Sequence, residues 1–259
     1  MEGKPSTPQA VWRRRAAVGR WRAAVARRAS RLPGVVAALC ATWLAGGCAL
    51  AGDSSQLWPE LGVFVDTAPE SRFFFDLPYL VEGDTENRSL EIAAYFDISL
   101  KPVLRRSLYE TDWARSRYLW MRFGYDRIFS VTDGKQDEPE NRGIVEFRAR
   151  APLFWRIWLE GRERVDLRWI DGEFSTRYRF RLDASREFDV RGRAVVPYVN
   201  YEWFFDSRYD AWTRTLLQAG TEITFTDHFR FEVYLAKQDD DVPRHGGLYA
   251  LGLFAKWFY

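Results

Sequence analysis

The chain has 259 residues and a formal charge of +2, a length that suits one large β domain or two small ones. The charge is unevenly placed: residues 1–51 hold nine basic side chains (Lys4 and eight arginines from Arg13 to Arg31) against the single acid Glu2, so 29 of 38 basic and 35 of 36 acidic residues belong to 52–259. That remainder carries a net −6, which excludes the basic surface that a nucleic-acid partner requires.

The N-terminal piece reads as an address. An arginine-rich flank ends at Arg31, an apolar run follows over 32–51, and Ala49 and Ala51 supply an A-x-A exit, the three parts of a secretory signal peptide. Residues 1–51 are therefore expected to be removed near Ala51, leaving 52–259 as one exported domain. A second reading, lipoprotein processing at Cys48, is disfavoured by Ala45 standing where leucine is preferred. Pro33 and several glycines make the run a poor permanent span. Both cysteines, Cys40 and Cys48, fall in this leader, so the exported body has no material for a disulfide framework, a zinc site or a thiol nucleophile.

From about residue 71 onward the dominant signal is period two, the signature of strands with opposite faces. Ten strands are predicted, near 71–81, 88–100, 115–129, 141–151, 153–169, 174–183, 190–206, 212–225, 229–238 and 247–259, with 57–65 as a further candidate. In 153–169 the odd residues are apolar or glycine except Glu163, while the even ones include Arg156, Glu160, Arg162, Arg164, Asp166 and Arg168. In 174–183, Phe174, Thr176, Tyr178, Phe180 and Leu182 oppose Arg177, Arg179, Arg181 and Asp183. The phase changes around Pro197, where a β-bulge is expected because proline cannot donate to the ladder. Asp171-Gly172 marks a tight hairpin.

Alternation alone also fits a soluble sandwich. The strands are long for that, at about 10 to 17 residues against the usual 5–6. The last strand places Tyr249, Leu251, Leu253, Ala255, Trp257 and Tyr259 on one face, resembling the C-terminal signal by which the barrel-assembly machinery recognises its substrates. Tyr249 and Tyr259 stand about 33 Å apart along a strand, roughly 25 Å along the normal of a membrane once tilted, which matches the apolar band between aromatic girdles. The expected fold is thus an all-β, antiparallel up-and-down transmembrane β-barrel of about ten strands, with twelve as the alternative, in the outer membrane of a Gram-negative cell with outer-membrane lipid around it.

The opposite face would then line the lumen. Its charges are Glu91, Asp97, Arg122 and Asp126; Arg142, Glu146 and Arg148; Arg156, Glu160, Arg162, Arg164, Asp166 and Arg168; Arg177, Arg179, Arg181 and Asp183; and Glu202, Arg214, Glu222, Arg230 and Glu232. Arginine predominates, the whole chain having five lysines, and its planar fork can hold two carboxylates at once. The leading expectation is a self-satisfying set of ion pairs, giving a structural barrel or a narrow passive pore. The alternative is an anion-selective channel for small acidic solutes, carried by the arginines on either side of Asp171-Gly172. A lipid-modifying enzyme ranks third: the exported body has only His228 and His245, neither in a recognisable nucleophile–base arrangement. Carboxylate pairs such as Asp239–Asp241 could bind calcium, but an acidic loop with no fixed geometry is the commoner case. No catalytic residue, metal or cofactor is expected.

Several short runs also carry a resemblance. Pro139-Glu140-Asn141-Arg142, Arg162-Glu163, Arg177-x-Arg179-x-Arg181, Tyr201-Glu202-x-Phe204-Phe205 and Leu251-Gly252-Leu253, in that order and spacing, resemble the outer-membrane group catalogued as domain-of-unknown-function family 2490. The resemblance covers about 56–259 and departs from the family at Thr213-Arg214, where Asn-Arg is usual. It implies an outer-membrane barrel and no particular activity.

Overall fold

Period-two patterning becomes, in the computed structural model, one continuous set of twelve strands. The structure describes residues 54–82, 88–100, 118–130, 139–241 and 246–259; the leader expected over 1–51 lies outside them, as does His245. In chain order the strands are β1 (Ser54–Ala68), β2 (Ser71–Glu82), β3 (Arg88–Ser99), β4 (Leu119–Ser130), β5 (Glu140–Pro152), β6 (Ile157–Ile170), β7 (Glu173–Arg186), the short β8 (Phe188–Val190), β9 (Arg193–Asp206), β10 (Ala211–Thr226), β11 (Phe229–Asp240) and β12 (Gly246–Phe258). Each of the long strands pairs with the next, and β12 returns to β1, so the sheet closes into a barrel.

The closure corrects the expected count and direction. Setting aside β8, which pairs only with β9, the barrel has eleven strands: the ten expected and β1, which contains the 57–65 candidate. In a meander, neighbours alternate in direction, so the first and last of an odd number run the same way. Strands β1 and β12 accordingly pair in parallel from Ser54↔Leu248 to Phe64↔Phe258, while the other pairings are antiparallel. Ser54 therefore begins at the rim opposite the one where Tyr259 ends. The β1 signal is weak because both faces are largely apolar: Trp58, Gly62 and Phe64 are inward, and Leu57, Leu61 and Val63 outward.

Two local features also differ from expectation. No register shift occurs at Pro197, which pairs with Thr221 in an unbroken ladder. Instead Arg191 and Gly192 form a hairpin tip with φ of 57° and 80°, and β8 continues the line of β7 in the same register against β9. The apparent phase change comes from reading that tip as strand. On the β9–β10 ladder the register shift lies instead between Trp212 and Arg214, at the position where the family-like Asn-Arg is absent. The hairpin at Asp171-Gly172 is as expected, with φ of 54° and 78°, the positive pair that a type I′ turn needs.

The barrel is inverted relative to a soluble protein. Its largest fully buried side chains are Glu146, Glu202, Asp97, Asp126 and Asp166, whereas Phe75, Ile92, Phe123, Phe174 and Val199 are among the exposed apolar residues. Along one wall the lumen is aromatic: Phe64 stacks on Phe74 at 4.2 Å, and the guanidinium of Arg122 lies 4.8 Å from both the Phe74 and Tyr95 rings. Inward glycines make room for such rings. Gly252 lies beneath Tyr234, where an added Cβ would come within 2.0 Å of the ring, and Gly124 lies beneath Tyr95 at 2.2 Å.

Candidate functional site: the charged lumen

Register decides which luminal charges meet. Crossing strands β2 to β7 at one level gives Arg72, Asp97, Arg122, Glu146, Arg164 and Arg179. One level away, Arg148, Arg162 and Arg181 stand abreast on β5, β6 and β7. Like charges directly opposite destabilise a sheet, and here carboxylates from neighbouring levels resolve the conflict.

Each of several acids bridges two cations. Asp97 accepts from Arg72 Nε at 2.8 Å and Arg122 Nε at 2.6 Å. Asp166 accepts from Arg164 at 2.5 Å and Arg177 at 2.7 Å, with Arg179 at 3.9 Å. Glu202 takes Arg162 and, at 2.7 Å, Arg179. Glu140 takes Arg142 at 2.6 Å and Arg168 at 2.5 Å, and Arg168 reaches on to Asp206 at 2.7 Å. Arg148 joins Glu146 at 2.5 Å to Glu160 at 3.4 Å, and Arg164 has a second acid in Asp126 at 3.1 Å. On the far side Glu222 receives Lys256 at 2.7 Å and Arg230 at 3.3 Å, while Glu232 receives Lys256 and the Tyr198 hydroxyl. Arg214 binds Asp240 at 2.5 Å.

Of the residues expected in the lumen, Arg156 is the exception. The strand pattern ends before it: Phe154–Arg156 form a 3₁₀ turn with Trp155 and Arg156 at φ of 60° and 61°, and Arg156 is exposed. It joins no charge cluster among the described residues. Arg181 faces the lumen, yet no carboxylate of a described residue lies within ion-pair distance of it and its Nε is buried without a partner. It lines a cavity of about 530 Å³ together with Asp183, Tyr198, Glu232, Glu60 and Asp76.

Sequence reasoning missed Glu60, Arg72, Asp76, Glu140, Asp206, Asp240 and Lys256 as members of the cluster. Parity could have found Arg72 and Asp76, which alternate with the outward Phe73 and Phe75, and Lys256, on the even face of the last strand. The two polar features considered as catalytic or metal-binding are otherwise engaged where they are described. The Nδ1–H of His228 donates to the Phe258 carbonyl at 2.8 Å, and Lys237 holds Asp239 at 2.9 Å.

The family described as "Protein of unknown function (DUF2490)" matches residues 58–246, most of the barrel. The chain belongs to this family. The match spans β1 to the start of β12, including the strands before Pro139, where none of the resembling motifs lies. Among solved structures, this DUF2490 barrel is similar to the β-domain of the Bordetella autotransporter BrkA, at 17% identity and a TM-score of 0.45, over 73% of this chain and 82% of that one. No curated protein matches.

Proposed function

We propose that the chain is an exported outer-membrane barrel whose lumen is held by its own ion pairs, acting as a structural barrel or at most a narrow passive pore. The observation that carries this reading is that Arg162, Arg164, Arg168, Arg177 and Arg179, five of the six arginines an anion track would need, each lie within 4 Å of a carboxylate already. An arginine already held by a carboxylate presents little field to a passing solute. The exposed apolar coat supports a bilayer setting, since a closed barrel is the β form that satisfies its whole backbone where no water is available. The C-terminal strand, with Leu251 and Tyr259 outward and exposed, suits capture by the assembly machinery from the periplasmic side. Insertion then follows signal cleavage near Ala51.

Arg181 favours a second reading, a conduit or resting site for a small acidic solute, because its guanidinium faces the cavity unclaimed. Single-channel conductance of the refolded protein in planar bilayers separates the two. Silence from folded, inserted barrels, or small steps without ion preference, is expected. Steady anion-selective steps that vanish in Arg181→Ala would overturn the ion-paired reading in favour of a conduit.

A further inference from the structure

The outward side chains of β6 are apolar or absent from Leu159 to Trp169, with one exception, Glu163. Glu163 is exposed and lies near the middle of this 14-residue strand, roughly 20 Å along the strand from either end. In register it stands between Phe147 of β5 and Phe180 of β7. No hydrogen bond or ion pair from a described residue reaches it. Beside it Ala149 and Gly161 face each other across the β5–β6 ladder, and a Cβ added to Gly161 would meet nothing within 4 Å. The apolar coat is therefore shallow where the carboxyl projects.

Acyl chains offer neither donor nor acceptor, so an ionisable group at mid-depth in a bilayer lacks any lipid partner. A carboxyl group is its own complement: in the protonated form it has one O–H donor and one carbonyl acceptor. A two-fold axis along the membrane normal brings identical residues together at identical depth and presents each patch to itself. We propose that the outer face of β5–β7 is an interface between two copies of this chain, in which the two Glu163 carboxyl groups hydrogen-bond to each other across the two-fold. Gly161 and Ala149 let the barrels approach, and Phe147 and Phe180 exclude lipid from the pair. The interface depends on the reading of the chain as a membrane-spanning barrel, because in water either carboxyl would be solvated on its own.

The test uses membranes from cells producing the full chain. Fractionation and heat-dependent gel mobility first establish the folded barrel for every variant. Under mild oxidation, Gly161→Cys is expected to form a disulfide-linked dimer. Leu251→Cys, on the opposite side of the barrel, and the parent chain with only Cys40 and Cys48 are expected not to. Adding Glu163→Leu should reduce the Gly161→Cys dimer at least tenfold, whereas Glu163→Gln, whose amide both donates and accepts, should retain most of it. Undiminished cross-linking in the leucine variant, or equal cross-linking at positions 161 and 251, overturns the interface and leaves the membrane reading intact. Absence of the folded parent chain from the membrane fraction overturns the membrane reading itself, and the interface with it.

Discussion

Replacing Asp166 by asparagine isolates the worth of one luminal carboxylate while keeping its shape. Asp166 is fully buried and is held by Arg164 at 2.5 Å and by Arg177 through both Nη2 at 2.7 Å and Nε at 2.9 Å. The loss falls unequally on these arginines. Arg164 retains Asp126 at 3.1 Å, and Arg179 retains Glu202 at 2.7 Å. Arg177, with 10% of its side chain exposed, is left without a carboxylate in ion-pair contact. Removing one partner of a buried pair costs about 3–5 kcal/mol, because the remaining charge is uncompensated. The lower end, about 3 kcal/mol, is expected here, since only one of the two directly bonded arginines is stranded. Adding Arg177→Met should recover most of that loss, because an apolar replacement of a buried pair is often neutral. Urea unfolding of the protein in lipid vesicles, followed by tryptophan fluorescence, measures both variants. If Asp166→Asn is neutral within about 0.5 kcal/mol, or if the double variant is less stable than the single, the ion pairs do not hold the lumen and the argument fails.

Gly252→Ala should lose about 1–3 kcal/mol in the same assay, since its Cβ would lie 2.0 Å from the buried Tyr234 ring and overpacking is costly; Tyr234→Ala in that background should relieve the clash, and no relief would mean that strain lies elsewhere. Arg156→Ala should leave stability within about 0.5 kcal/mol of the parent and conductance unchanged, as expected for an exposed turn residue away from the network; a changed conductance would return Arg156 to the lumen. Cysteines introduced at Ser55 and at Tyr259 should react with a membrane-impermeant maleimide from opposite faces of the membrane, because parallel pairing of β1 with β12 puts them at opposite rims. Labelling of both from one side would refute the parallel closure.

The inward and outward sides of most strands are legible because a single parity carries the contrast. On β6 and β7, charged residues alternate with Leu, Val, Tyr and Phe over a dozen positions, and no other secondary structure places them on two faces. Where the contrast disappears, the reading weakens. Strand β1 puts Trp58 and Phe64 into an aromatic wall, so its inward face looks like its outward one. At Phe154–Arg156 the alternation continues through residues whose backbone has already left the strand, and parity has no means of sensing a positive φ. Around Arg191 the reverse holds: a hairpin tip mimics strand, and the phase that the turn itself changes is then assigned to a bulge at Pro197.

By itself the sequence determined that this chain is built of long two-faced strands, with arginine and acid on one face and an aromatic and aliphatic coat on the other, because side-chain direction in a strand depends only on position along it. Tertiary structure alone decided the eleven-strand count, the parallel seam and the pairing of charges. Those depend on register, and register is set by closure of the whole ring. Sliding one strand against its neighbour by an even number of residues preserves every alternation while exchanging the partners of Asp166, Glu202 and Arg181. Which of the described arginines are satisfied, and that Arg181 is left facing the cavity, is therefore a property of the closed barrel.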